Sequence, residues 1–393
     1  MPIAIYLLGL AVFAQGTSEF MLSGLVPDIA RDLHVPVPAA GALTSAFAVG
    51  MIIGAPLMAA LSLRWPRRRA LLVFLTAVVV VHVVGAVTDS FGLLLATRVV
   101  GALAYAGFLA VGLATAAGMA GPGAKGRAAS VLLGGLTLSC VAGVPAGAFL
   151  GQLWGWRSAF WAVAVVSLPA IVAIQRAVPG TAPDAAVPSA RRELRALRRP
   201  RLLVSLLLGA LVNGATFCTF TYLAPLITDV SGYDRTWVPI LLALFGLGSF
   251  AGVTVGGRVS DSQPMRVLVP GGVALLVGWL LFAATAASAP AAFLLVFVQG
   301  TLSFAVGSTL ITRALYAAAD APSLGGSFAT AALNVGAAVG PLLGGAAIGA
   351  GLGYRSPLWV SALLVALAFV TAVLTWTVWR DAGTESPAGV VAS

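Results

Sequence analysis

The chain has 393 residues, 60% of them hydrophobic and only 9% charged, with 22 basic residues against 12 acidic ones. A water-soluble domain carries about a quarter of its residues as charge, so a soluble globular fold is excluded. The net charge of +10 is read as the basic bias of membrane loops, and no nucleic-acid partner is expected. Two histidines 48 residues apart and two cysteines inside apolar runs leave no His-Glu-x-x-His zinc motif and no disulfide framework. There is no Gly-rich Lys-Ser/Thr phosphate loop either. Catalysis, ATP-driven pumping, a metal and a cofactor are all unexpected.

In chain order, apolar runs predict an all-α membrane protein of twelve transmembrane helices. The runs are 3–26, 38–61, 70–88, 91–118, 129–152, 158–178, 202–227, 237–257, 267–288, 290–313, 326–349 and 357–379, near the ~20 residues that cross a bilayer. Met1-Pro2-Ile3 has no basic n-region, so the first run is expected to be a retained helix rather than a cleaved signal. With the amino terminus inside, seventeen of the 22 basic residues fall on cytoplasmic loops. Only Arg31, Arg157, Arg235 and Arg355 fall outside, and Arg98 is intramembrane. That bias predicts both termini in the cytoplasm.

Residues 179–200 run from Pro179-Gly180-Thr181 to Arg198-Arg199-Pro200 and are expected to form a cytoplasmic basic linker, attracted to anionic headgroups. The linker separates a six-helix bundle at 1–178 from a second at 201–380, with 381–393 as a cytoplasmic tail. The two halves repeat at a constant offset of 198. Gly155-Trp156-Arg157-Ser158 and Trp161 become Gly353-Tyr354-Arg355-Ser356 and Trp359, and Gly147, Gly151 and Gly155 become Gly345, Gly349 and Gly353. Halves of one topology related about the membrane normal are a transporter architecture, with the site between them.

The first run contains the one acidic residue placed well inside an apolar span, Glu19. A charge at membrane depth costs about 2.5–3.5 kcal/mol on insertion scales, so it is expected to face something other than lipid. Gln15, Glu19 and Ser23 are four apart and predict a polar stripe on one helical face. Arg98, about two turns into span 4 and followed by Tyr105, is functional by default and needs a partner. His82, alone in span 3, is expected to be a satisfied structural residue, and His34 to be solvated.

The loop after span 2 carries Arg64, Arg67, Arg68 and Arg69, with Leu63 and Pro66 among them. It resembles the signature loop of the major facilitator superfamily, a conformational latch between halves. The second-half copy, Gly257-Arg258-Val259-Ser260-Asp261, keeps the acid that Leu63 replaces. Arg98-Val99-Val100-Gly101 resembles the superfamily's span-4 motif, whose Arg is linked to proton coupling. Gly134, Gly143, Gly147 and Gly151 match the spacing of its antiporter motif in span 5, with Pro145 displaced and Gln152 in the final place. These small residues predict close helix packing, and span 5 is expected to lie against a helix of the other half, bent at Pro145.

The resemblance runs along the whole chain. Thr17-Ser18-Glu19-Phe20-Met21-Leu22, Pro27-Asp28-Ile29-Ala30, Gly155-Trp156-Arg157-Ser158 and Thr221-Tyr222-Leu223-Ala224-Pro225 look like the arabinose-efflux-like, twelve-span drug:proton antiporters. Within that group the chain is most similar to actinomycete chloramphenicol-resistance exporters. The resemblance implies a monomeric antiporter in the plasma membrane, exchanging protons for a small amphipathic drug such as chloramphenicol. A sugar or small-metabolite exporter of the same superfamily is the alternative. Besides Gln15, Ser23 and Tyr105, the polar and aromatic residues expected along a mostly apolar cavity are Asn213, Thr216, Phe220 and Tyr222 on span 7, Gln299 and Ser303 on span 10, and Thr330 and Asn334 on span 11.

Overall fold

The computed structural model describes residues 2–62, 65–120, 124–178, 180, 199–259, 263–318 and 325–384. Among these residues the chain is helical throughout, with no strand, and twelve helices are long and apolar enough to cross a membrane. The apolar runs of the sequence map onto them one for one. Span 4 is Phe91–Met119 and span 10 is Ala289–Ala317. Span 12 belongs to a helix that continues to Thr384, into what the sequence assigns to the tail. Nearly all of the 179–200 linker lies outside the described residues.

Span 1 departs from the expected single helix. It runs Ile3–Phe20, breaks at Met21 and resumes as Leu22–Asp32. Pro27, inside the second piece, has no N–H to give the Ser23 carbonyl. At the break the Gly24 amide bonds the Met21 carbonyl at 3.2 Å, a tighter i→i−3 link. Met21 itself keeps helical φ/ψ (−61°, −23°), so Ser23 follows Gln15 and Glu19 through a tightened turn and sits in the second piece. Span 5 is also interrupted. A π-helical turn at Ser139–Gly143 separates Lys125–Leu138 from Val144–Trp154, ending two residues before Pro145, whose missing N–H favours such a local adjustment.

Span 5 lies against a helix of the other half, span 8, as expected, but its motif glycines do not make that contact. Gly143, Gly147 and Gly151 do not face the other half. A Cβ at each would meet Thr17, Met21 and Leu25 of the first span in turn. The two rows share a spacing of four and mesh as ridge and groove. The close approach between halves is made from the other side, where Gly246 of span 8 lies against the Cys140 carbonyl in the π-helical turn. Span 2 packs along span 11 at the second junction between the halves.

The internal repeat has a backbone counterpart. Gly155 and Gly353 both end their helices at positive φ, +80° and +73°, a conformation that glycine adopts without a Cβ clash. At each corner the serine three residues on, Ser158 or Ser356, donates to that glycine's carbonyl at 2.7 Å.

Buried apolar residues form one large cluster within residues 144–368, contributed mostly by spans 7–10 and 12. Three more lie within the first six spans. The helices that meet between them frame the site.

Candidate functional site

Arg98 is buried in span 4, 2% exposed, and its guanidinium is held by span 1. Nη1 donates to the Ser18 hydroxyl at 2.8 Å and Nη2 to the Ser18 carbonyl at 2.7 Å. The face of Phe47, from span 2, lies 4.5 Å from the guanidinium carbon, a cation–π contact strengthened by the absence of water. Nε has no partner. Glu19 is the next residue after Ser18, and its charge attracts that of Arg98 through space. Among the described residues, however, the two close no ion pair. The sequence puts Glu19 and Arg98 each inside an apolar span; what joins them is Ser18.

His82 belongs to the same network. Its Nε2 lies 2.6 Å from the Ser18 hydroxyl and its Nδ1 2.7 Å from the Val78 carbonyl. No spacing rule relates positions 18, 82 and 98, so this contact was not legible in the chain.

Phe20, one residue beyond Glu19, lines a small gap between the halves. Cys140, Thr216, Phe217, Phe220 and Phe304 complete most of its wall. Phe20 and Phe217 have ring centroids 5.8 Å apart, and Phe220 and Phe245 stack at 4.5 Å. The wall is aromatic, with few polar groups, as suits an amphipathic ligand. A second small gap lies behind Phe220 in the second half, beside Trp279 and Gln299.

The expected cavity residues divide accordingly. Thr216 and Phe220 line the central cavity, while Gln299 lines the second one. Gln299 donates to the Leu275 carbonyl at 3.2 Å, and its oxygen and the Ser303 hydroxyl are buried without partners. Tyr222 is placed elsewhere. Its hydroxyl donates to the Pro341 carbonyl at 2.9 Å, and it fills the space between Gly41 of span 2 and Gly345 of span 11. Asn213 donates to the Leu333 carbonyl at 2.7 Å, Asn334 to the Thr330 carbonyl at 3.0 Å and Gln15 to the Ala11 carbonyl at 3.1 Å. Thr330 is half-buried. Ser23 is buried beyond the break, and Tyr105 is buried beside Phe47 with an unpaired hydroxyl.

Of the signature loops, Arg64 and Asp261 lie outside the described residues. Arg67 reaches Gly118 at the end of span 4, and the half-buried Arg68 follows it on span 3.

The opposite end of the molecule carries polar contacts that the motifs did not announce. Arg157 pairs with Asp32 and, at 2.6 Å, with Asp89, and donates to the Thr88 carbonyl at 3.1 Å. The Trp156 indole donates to Asp32 at 3.0 Å. Hydrogen bonds from Arg157 and Trp156 hold the Asp32 carboxyl below the usual carboxylate range. Asp28, nearly buried, pairs with Arg31 and with Arg235 of the second half, while Gln152 donates to the Arg235 carbonyl. Asp28 and Gln152 thus tie the halves together at this end.

The sequence profile of the Major Facilitator Superfamily matches residues 8–325. The chain is 58% identical over 375 residues, 95% of its length and 96% of the relative's, to the chloramphenicol resistance protein of Streptomyces lividans. It is 34% identical to the inner membrane transport protein YdhP of Escherichia coli K12, covering 92% of this chain and 93% of that one. Its fold matches the crystal structure of a bacterial homologue of the human lysosomal transporter Spinster, with a TM-score of 0.71 at 17% identity over 95% of each chain. The chain belongs to the major facilitator superfamily; it is a multi-pass membrane protein of a transporter family and not an enzyme.

Proposed function

We propose that this superfamily member is a plasma-membrane antiporter that exports a small, nearly neutral amphipathic drug, with chloramphenicol the first candidate, in exchange for protons. The observation that carries the reading is the 58% identity, along almost the whole chain, to a protein named for chloramphenicol resistance. The aromatic cavity between the halves supports it: Phe20, Phe217, Phe220 and Phe304 offer ring faces to an aryl substrate, and Thr216 offers a hydroxyl.

Glu19 carries the proton in this reading, and Arg98 is the fixed charge that tunes it. Glu19 adjoins Phe20, so a change in its charge is felt at the cavity wall. Protonated and drug-bound forms favour opposite states of two rocking halves, and each ligand shifts the balance only by its differential affinity for those states. With both termini in the cytoplasm, the end carrying Asp28 and Arg235 faces outward. Their ion pair then belongs to the state closed to the outside, from which opening must separate it.

Glu19→Gln is expected to abolish chloramphenicol-driven proton release from purified protein and to reduce efflux at least about tenfold. Retention of full efflux and full counterflow by this variant sinks the coupling scheme. Transport of labelled chloramphenicol against labelled sugars separates this reading from a sugar or metabolite exporter.

A further inference from the structure

The hydrogen bonds around Ser18 have a direction. A backbone carbonyl only accepts, so His82 Nδ1, 2.7 Å from the Val78 carbonyl, carries the ring proton. In the neutral ring Nε2 is then an acceptor, and the Ser18 hydroxyl, 2.6 Å away, donates to it. With its proton committed to His82, the hydroxyl presents a lone pair to Arg98 Nη1 at 2.8 Å, while the Ser18 carbonyl takes Nη2 at 2.7 Å. Three spans are thereby fixed through one serine. Glu19 projects about 100° further around the helix than Ser18, so a guanidinium held on Ser18 stands beside the carboxyl without capping it.

We propose that His82 is a positioning residue of the coupling site, acting through the Ser18 hydroxyl to hold Arg98 off Glu19. The inference rests on Glu19 being the proton carrier, as proposed above. The charged group facing His82 from span 4 is Arg98, and Glu19 is faced by Arg98 and the Tyr105 hydroxyl from span 4 and by the Cys140 thiol from span 5. Span 1 supplies Ser18 and, beside it, Glu19; span 6 supplies the Phe160 ring, its centroid 5.8 Å from that of His82. Without the imidazole the Ser18 hydroxyl turns freely and donates elsewhere, and Arg98 is released to close a contact pair with Glu19. A carboxylate paired in that way gives up its proton at lower pH.

The test measures proton flux driven by chloramphenicol in proteoliposomes of the full chain, as a function of pH. His82→Ala is expected to move the midpoint of that profile to lower pH by at least about half a unit. Ser18→Ala is expected to do the same, and the double variant no more than either alone. His82→Gln, whose side-chain oxygen can accept from Ser18, is expected to keep the wild-type midpoint. Should His82→Ala not fold, Ser18→Ala carries the expectation by itself.

An unshifted midpoint in His82→Ala and Ser18→Ala, with only a lower melting temperature, overturns the proposal and leaves His82 a core residue. A shift in His82→Gln as large as in His82→Ala also overturns it, because the imidazole itself is then what matters. Glu19→Gln is the control: if it keeps the flux, the carrier assignment fails. If it loses the flux while His82→Ala is unshifted, only the present inference fails.

Discussion

A buried guanidinium has five donors to place, and where they go decides what it can do. At Arg98 two nitrogens are committed to Ser18 and the plane is covered by Phe47. A lysine has neither the planar fork nor the stacking face, so Arg98→Lys is expected to lower drug-driven proton flux about tenfold or more in the same proteoliposome assay. Wild-type flux would show that only the charge matters. A different residue-scale prediction concerns Asp32, whose carboxyl is held below its ordinary range by Arg157 and Trp156. A depressed carboxylate contributes stability that is full above its unfolded pKa, about 3.9, and is lost as pH falls through the lower folded value. Thermal unfolding in detergent followed from pH 6 to pH 3 is expected to show this loss in the wild type and a smaller one in Asp32→Asn. The side chain is 46% exposed, so the difference is modest.

At the scale of elements, the spacing of small residues sets which helices meet. Gly143, Gly147 and Gly151 sit opposite Thr17, Met21 and Leu25, and the contact with the second half falls to Gly246 against the Cys140 carbonyl. A methyl at 246 would strike backbone, which cannot swing away as a side chain can. Gly246→Ala is expected to destabilise by about 1–3 kcal/mol, read as a melting temperature lowered by several degrees and reduced transport. Gly307→Ala, in span 10, meets nothing within 4 Å and is expected to change neither. Equal melting temperatures for the two variants would refute the packing assignment. The π-helical turn at 139–143 itself makes this contact, and Met21, where span 1 is irregular, packs against Gly147 one turn further along span 5.

At the scale of the whole molecule, Asp28 to Arg235 is the ion pair recorded between the two halves among the described residues, and Gln152 reinforces it through the Arg235 carbonyl. Removing either charge is expected to favour opening at that end. Cys140, at the cavity wall, is a built-in reporter, since the other cysteine, Cys218, is buried in the second half. In a Cys218→Ser background, Asp28→Asn or Arg235→Gln is expected to raise labelling of Cys140 by a membrane-impermeant maleimide severalfold, as fits the loss of a pair worth about 1 kcal/mol. The exchanged pair, Asp28→Arg with Arg235→Asp, is expected to return it toward the wild-type level. Unchanged labelling in both single variants would remove the pair from the gating scheme.

The number of spans, their order and the internal repeat at an offset of 198 were legible along the chain. The bilayer demands runs of about 20 apolar residues, and glycine corners of the kind at Gly155 and Gly353 are written locally. The presence of an acid and an arginine at membrane depth was legible for the same reason: each is costly enough there to stand out. Which groups touch was decided by tertiary structure alone. Ser18, His82 and Arg98 come from three spans, and Asp28 and Arg235 are 207 residues apart, so no periodicity links them. The glycines of span 5 were recognisable as a packing face, but their partner was set by the first span's matching period of four. Helical spacing reports which side chains share a face; it carries no information about which helix that face will meet.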